Sequence, residues 1–203
     1  MLLGLLWEPA VGASEWKSAE YNCALTVPDG WREPVPASGS VRALYQSADG
    51  TKTVAVLIDP VASPGLKRVD PKFNEEFKLA FASGKGTVLT ARDIQLAGLP
   101  AYEVLGRTAL EIYSVSIVVR VVIADGRIYQ LQGSKTGTGV LQDAELQQCL
   151  GSFRFLRPPG GSATNGPGVN PLRRIIVALA GVIAAAACAF ALMRRKRKRR
   201  TGV

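Results

Sequence analysis

The chain has no histidine among its 203 residues, and that absence excludes much chemistry. Ser-His-Asp and Cys-His catalysis, histidine-rich zinc sites and imidazole pH sensing all need the missing ring. Cysteine is scarce: Cys23, Cys149 and Cys188 have no CxxC spacing for zinc or redox chemistry. No Asn-x-Ser/Thr acceptor for glycosylation occurs. Acidic residues stop early. All 16 lie in residues 1–172, together with 16 of the 25 Lys and Arg residues, so that part is formally neutral. The net charge of +9 belongs wholly to residues 173–203. No basic stripe with interleaved aromatics remains to follow a phosphate backbone, so no nucleic-acid partner is expected.

What is present near the C-terminus is a long apolar run. Residues 175–193, opening on Ile175 and closing on Met193, contain no charged residue and no Asn, Gln or Pro. As a helix rising about 1.5 Å per residue the run reaches about 28 Å, close to the hydrocarbon thickness of a bilayer. A buried helix of a soluble domain would show a polar face, and this run shows none. Seven basic residues follow directly: Arg194, Arg195, Lys196, Arg197, Lys198, Arg199 and Arg200. Only Arg173 and Arg174 stand on the other side. The expectation is a single transmembrane helix over 173–193 with a basic stop-transfer tail over 194–203, which places the C-terminus in the cytoplasm and binds anionic headgroups. Within the run, Gly181 with Ala185 and Ala184 with Cys188 are small-xxx-small pairs. They offer a contact for a helix-mediated homodimer, although eight alanines produce such pairs by chance.

The N-terminus bears on topology. Residues 2–7 are apolar, and Ala10, Val11, Gly12, Ala13 and Ser14 supply the small residues of a cleavage site. Six apolar residues fall short of the roughly 7 to 15 of a signal peptide, and no Lys or Arg precedes them. Residues 1–14 are read as the remainder of a signal peptide that begins upstream. The alternative is the N-terminus of a tail-anchored cytosolic protein.

Between the ends, Pro and Gly fill seven of the thirteen positions 158–170. Residues 158–172 are therefore a linker, unable to bury enough apolar surface to fold. The globular domain is residues 15–157. Strand periodicity is expected over 21–27, 41–46, 53–58, 87–96, 101–109, 112–124 and 128–133, with turns at Asp49-Gly50 and Asp125-Gly126. One helix is expected to start at Asp70 as N-cap with Pro71 at N1, to bury Phe73, Phe77, Ala80 and Phe81, and to stop at Gly84. A second is expected over 141–150, with Leu146, Cys149, Leu150 and Phe153 on one face. The fold class is α+β, an antiparallel sheet with helices packed on it.

Several motifs resemble the Mog1/PsbP-like α/β/α sandwich family, which has many bacterial extracytoplasmic members. They are Val27-Pro28-Asp29-Gly30-Trp31, Leu96-Ala97-Gly98-Leu99-Pro100-Ala101, Gly126-Arg127-Ile128-Tyr129-Gln130-Leu131 and Leu150-Gly151-Ser152-Phe153-Arg154-Phe155. The resemblance covers residues 21–157. It implies a fold and no catalytic residue, because members of the family serve as assembly factors, photosystem subunits, small-GTPase partners or lipoproteins. The motif residues also have structural roles: Gly30 and Gly98 suit turns, and Trp31, Tyr129 and Phe153 suit a core.

Such a fold brings the first strand, with Cys23, towards the last helix, with Cys149. Outside the cytoplasm the two are expected to form a disulfide. Closing a loop of over 120 residues, it would stabilise by about 4 to 5 kcal/mol in the chain-entropy account. The alternative is two buried thiols acting as small apolar side chains.

Other chemistry is sparse. The glycine-rich stretches 84–87 and 133–137 break the Gly-Lys-Ser/Thr order of a phosphate loop and are read as turns. Glu75 and Glu76 are read as a solvated helix face. Asp59, Asp70, Asp125 and Asp143 fall at strand ends, turns and a cap. No set of residues suggests a metal or a cofactor. The expected function is a non-enzymatic binding or scaffolding module, held by one membrane helix, with a protein, peptide or lipid ligand. Two readings compete with it: a tail-anchored cytosolic interaction module, and a histidine-free hydrolase using Ser or carboxylates.

Overall fold

A computed structural model describes residues 13–160, apart from 35, 37–38, 62–65, 67, 85 and 111–112. The expected transmembrane helix, the basic tail, most of the linker and residues 1–12 lie outside the described residues. The strands are β1 (Ser14–Ser18), β2 (Cys23–Val27), β3 (Val41–Gln46) and β4 (Lys52–Pro60), followed after helix α1 (Pro71–Ser83) by β5 (Gly86–Leu96), β6 (Leu99–Leu110), β7 (Tyr113–Ala124) and β8 (Arg127–Thr136). Helix α2 (Ala144–Gly151) and the short β9 (Arg154–Phe155) close the domain. Six strands form one antiparallel sheet in the order β3-β4-β8-β7-β6-β5, and β1-β2-β9 form a second. The α+β architecture expected from the sequence is the one observed.

Alternation along β7 divides the large sheet into two faces. Ile117, Val119, Val121 and Ile123 pack with Phe73, Phe77 and Phe81 of α1. Val118 and Val122 point the other way, into a core shared with Leu25 of the small sheet and Leu146 and Leu150 of α2. Helix α1 forms as its caps dictate, because the Asp70 carboxylate accepts from the Phe73 N–H at 2.8 Å and Pro71 opens the first turn. Its aromatic ridge needs room on the sheet. A Cβ on Gly106 would stand 2.2 Å from Phe81 Cε1 and 2.9 Å from the Thr87 carbonyl, so only glycine fits there. Two hairpins are made by two-residue turns with both residues at positive φ: Ala97-Gly98 (50° and 78°) and Asp125-Gly126 (49° and 68°). Such turns match the twist of the strands they join.

Four expectations are corrected. β1 and β9 were not foreseen as strands. The first predicted strand starts at Cys23 rather than Tyr21, because Asn22 takes φ 54° and breaks the extended run. Helix α2 starts at Ala144 rather than 141, because the Asp143 carboxylate caps it by accepting from the Leu146 N–H at 3.2 Å. Residues 133–136 continue β8 instead of turning, since Gly133 lets Leu150 pack onto the sheet: a Cβ there would meet Leu150 Cδ1 at 2.8 Å. The chain leaves the strand only at Gly137, φ 85°.

Candidate functional site

Cys23 and Cys149 are brought into one core, as the fold implied, and both are fully buried free thiols. The backbone ties their elements together: the Thr26 N–H donates to Ser152 Oγ at 2.8 Å, and Ser152 Oγ donates to the Cys149 carbonyl at 2.6 Å. Burial pushes each thiol up to about 12; a nearby Glu145 adds to the effect at Cys149, and Arg127 opposes it at Cys23. At neutral pH neither supplies the thiolate a nucleophile needs.

Trp31, in the Pro-Asp-Gly-Trp motif, lies over the start of α2. Its Nε1–H donates to Glu145 Oε1 at 3.0 Å, and Lys52 Nζ donates to Glu145 Oε2 at 2.6 Å. Lys52 also lies 3.2 Å from Asp143, which accepts from Lys135 Nζ at 2.8 Å. Burial works against ionisation of Asp143, but hydrogen bonds from Lys135, the Leu146 N–H and Lys52 outweigh it and hold its pKa below the usual carboxylate range. Two acids and two lysines neutralise one another here. Both carboxylates are occupied by these donors.

A second charged set crosses β5, β6 and β7. Glu103, only 3 % exposed, accepts from Arg92 Nε at 2.8 Å and from Arg120 Nε at 2.9 Å. Arg120 in turn donates to Gln147 Oε1 of α2 at 2.6 Å. The group locks α2 to the far half of the sheet.

The third set differs, because among the described residues its cations make no ion pair. Tyr21 precedes β2, and its carbonyl accepts from the Tyr129 hydroxyl at 2.9 Å. The guanidinium of Arg42 lies 4.7 Å from the Tyr21 ring centre and that of Arg127 lies 5.3 Å from it. Asn22 fixes the neighbouring backbone through Asp125 Oδ2 (3.3 Å) and the Arg157 carbonyl (3.0 Å). Burial and a hydrogen bond to Glu20 raise the Tyr21 pKa, so its phenol stays neutral at physiological pH. Arg42 Nε is buried and meets no acceptor. Nothing in the sequence pointed to this set: its members are scattered over more than 100 positions and meet only through the fold.

Among the described residues no group of His, Cys, Asp and Glu side chains could hold a metal ion, and no helix is long and apolar enough to cross a membrane. Glu75 pairs with Lys78 at 2.7 Å on the exposed side of α1, and Asp70 and Asp143 are caps. Residues 175–200, including the small-xxx-small pairs, lie outside the described residues.

The strand order, with helices on both faces of the large sheet, has counterparts among solved structures. The cyanobacterial PsbP of Synechocystis sp. PCC 6803 matches with a TM-score of 0.53 and 13 % identity, over 74 % of this chain and 98 % of that one. The fold is Mog1/PsbP-like. A variant of Mog1 matches with a TM-score of 0.47 and 15 % identity, over 71 % of this chain and 96 % of that one. LpqN of Mycobacterium tuberculosis, described as involved in cell envelope biogenesis, matches with a TM-score of 0.42 and 16 % identity, over 70 % of this chain and 84 % of that one. No protein-family profile and no curated protein sequence matches the chain. At such identities the Mog1/PsbP-like likeness is one of shape and carries no residue's role.

Proposed function

We propose that this protein is a non-enzymatic binding or scaffolding module, displayed outside the cytoplasm by a single C-terminal membrane helix. The observation that carries the reading is the uncharged run 175–193 abutted by seven consecutive basic residues. The Mog1/PsbP-like fold suits a binding role, and two buried acids of the domain, Glu103 and Asp143, are already paired with arginines and lysines. The test is protease added to intact cells that carry the full chain with an epitope at each end. Digestion of the domain with survival of the C-terminal epitope supports the reading. Protection of the domain supports the tail-anchored alternative.

On this reading the two core cysteines lie in an oxidising compartment and pair, losing two protons and two electrons to a cellular disulfide donor. Thiol titration of the unfolded, unreduced chain is expected to find one thiol, that of Cys188. Three thiols would leave Cys23 and Cys149 as core packing.

A further inference from the structure

We propose that Arg42 and Arg127, held against the Tyr21 ring, form a binding site for a phosphate oxyanion, carried by an anionic lipid headgroup or by a free phosphate-bearing solute. Arg42 comes from the register shift in β3, and Arg127 opens β8; β4 lies between these strands. A bulge redirects a side chain that regular pleating would send elsewhere. Ion pairs engage Lys17, Lys52, Lys78, Arg92, Arg120, Lys135 and Arg154, but among the described residues neither Arg42 nor Arg127 makes one. Asp59, which accepts from Ser40, and Asp125, which accepts from Asn22, keep their charges but form no ion pair with either arginine. Two like charges are thus held over one ring by a neutral π face.

Stacking uses the face of a guanidinium and leaves its N–H edge for an acceptor. Arg42 Nε, buried without a partner, belongs to such an edge. The Tyr129 hydroxyl, donating to the Tyr21 carbonyl at 2.9 Å, fixes the backbone that carries the ring. An oxyanion lying between the two edges would take charge-assisted bonds from both. Phosphate fits this better than carboxylate, since its tetrahedral oxygens serve two forks at once while a carboxylate is filled by one. The assignment deepens the binding-module reading and rests on it for the role of the ligand, but not on the membrane anchor.

The test is calorimetric titration of inorganic phosphate into the full chain in phosphatidylcholine nanodiscs. Saturable binding is expected, weakened about tenfold or more by Arg42→Gln and by Arg127→Gln and unchanged by Arg107→Gln. In discs that contain phosphatidylglycerol, weaker apparent phosphate binding identifies the headgroup as the source, and unchanged binding identifies a solute; either supports the site. No saturable binding, or full binding by the double Gln variant, overturns it. If Arg42→Gln does not fold by circular dichroism, Arg42→Lys keeps the charge, removes the fork and is expected to give a partial loss. Overturning the site leaves the tethered topology standing, because protease exposure tests that separately.

Discussion

The face of the large sheet under α1 and the face under α2 are built from the same strands, yet they are held by different forces. Under α1, three phenylalanines pack on aliphatic side chains, with Gly86 and Gly106 leaving space for the Phe81 ring. A polar contact joins the same elements, the Asn74 side-chain amide donating to Asp93 Oδ1 at 2.9 Å. Under α2 the core is also apolar, but ion pairs of Lys52, Lys135 and Arg120 rim it, and the Tyr21 ring carries two arginines. Apolar packing is sensitive to shape and indifferent to pH, whereas a polar rim is sensitive to both. A ligand site can be placed on the second face without opening the first.

The largest effect that sharpens this contrast is expected from Phe77→Ala, which empties the middle of the α1 ridge at a fully buried position. It should cost about 3 to 5 kcal/mol in urea unfolding of the full chain. Glu103→Ala, on the other face, should cost about 3 kcal/mol, because it strands Arg120, whose side chain is only 13 % exposed. Arg92→Ala should cost under about 1 kcal/mol, since that side chain is 63 % exposed and water screens it. A cost for Arg92→Ala equal to that for Glu103→Ala would show that burial is not what separates the two pairs.

The α1 face of the sheet is not wholly apolar, since Thr53, Ser134, Gln130 and Gln132 are all buried on it. Gln130 and Gln132 on β8 are buried with Nε2 and Oε1, respectively, lacking any partner. An unpaired buried amide costs more than a methylene chain of the same length. Gln132→Met is therefore expected to raise stability by about 1 kcal/mol in the same measurement. Destabilisation would show that the amide makes a bond that holds the sheet.

Local chemistry made much of this fold readable. Asp125-Gly126 announces a two-residue hairpin, and Asp70-Pro71 with phenylalanines at helical spacing announces α1, because each signal acts over a few residues. β1 escaped notice because Ser-Glu-Trp-Lys-Ser is largely exposed and shows little apolar alternation. β9 escaped because two residues carry no period at all. Gly133 resembled a turn residue because its role is set by Leu150, 17 positions away in sequence. The same reason hid the candidate site. Arg42 and Arg127 are ordinary surface cations until the fold brings both to Tyr21, and only then is it visible that among the described residues neither makes an ion pair.

A further modest effect concerns Asp143, where capping and charge can be separated. Asn caps a helix about as well as Asp, so Asp143→Asn keeps the bond from the Leu146 N–H and removes only the charge facing Lys52 and Lys135. The folded pKa of Asp143 lies below the ordinary value of about 3.9. A carboxylate depressed on folding contributes stability above its unfolded pKa and loses it as pH falls through the folded one. At pH 7 the variant should be less stable by about 1 kcal/mol. Below about pH 4 the gap should close, because wild type loses the charge that the variant never had. A gap that stayed constant down to acid pH would mean that the cap geometry, and not the ion pairs, ties α2 to its face of the sheet.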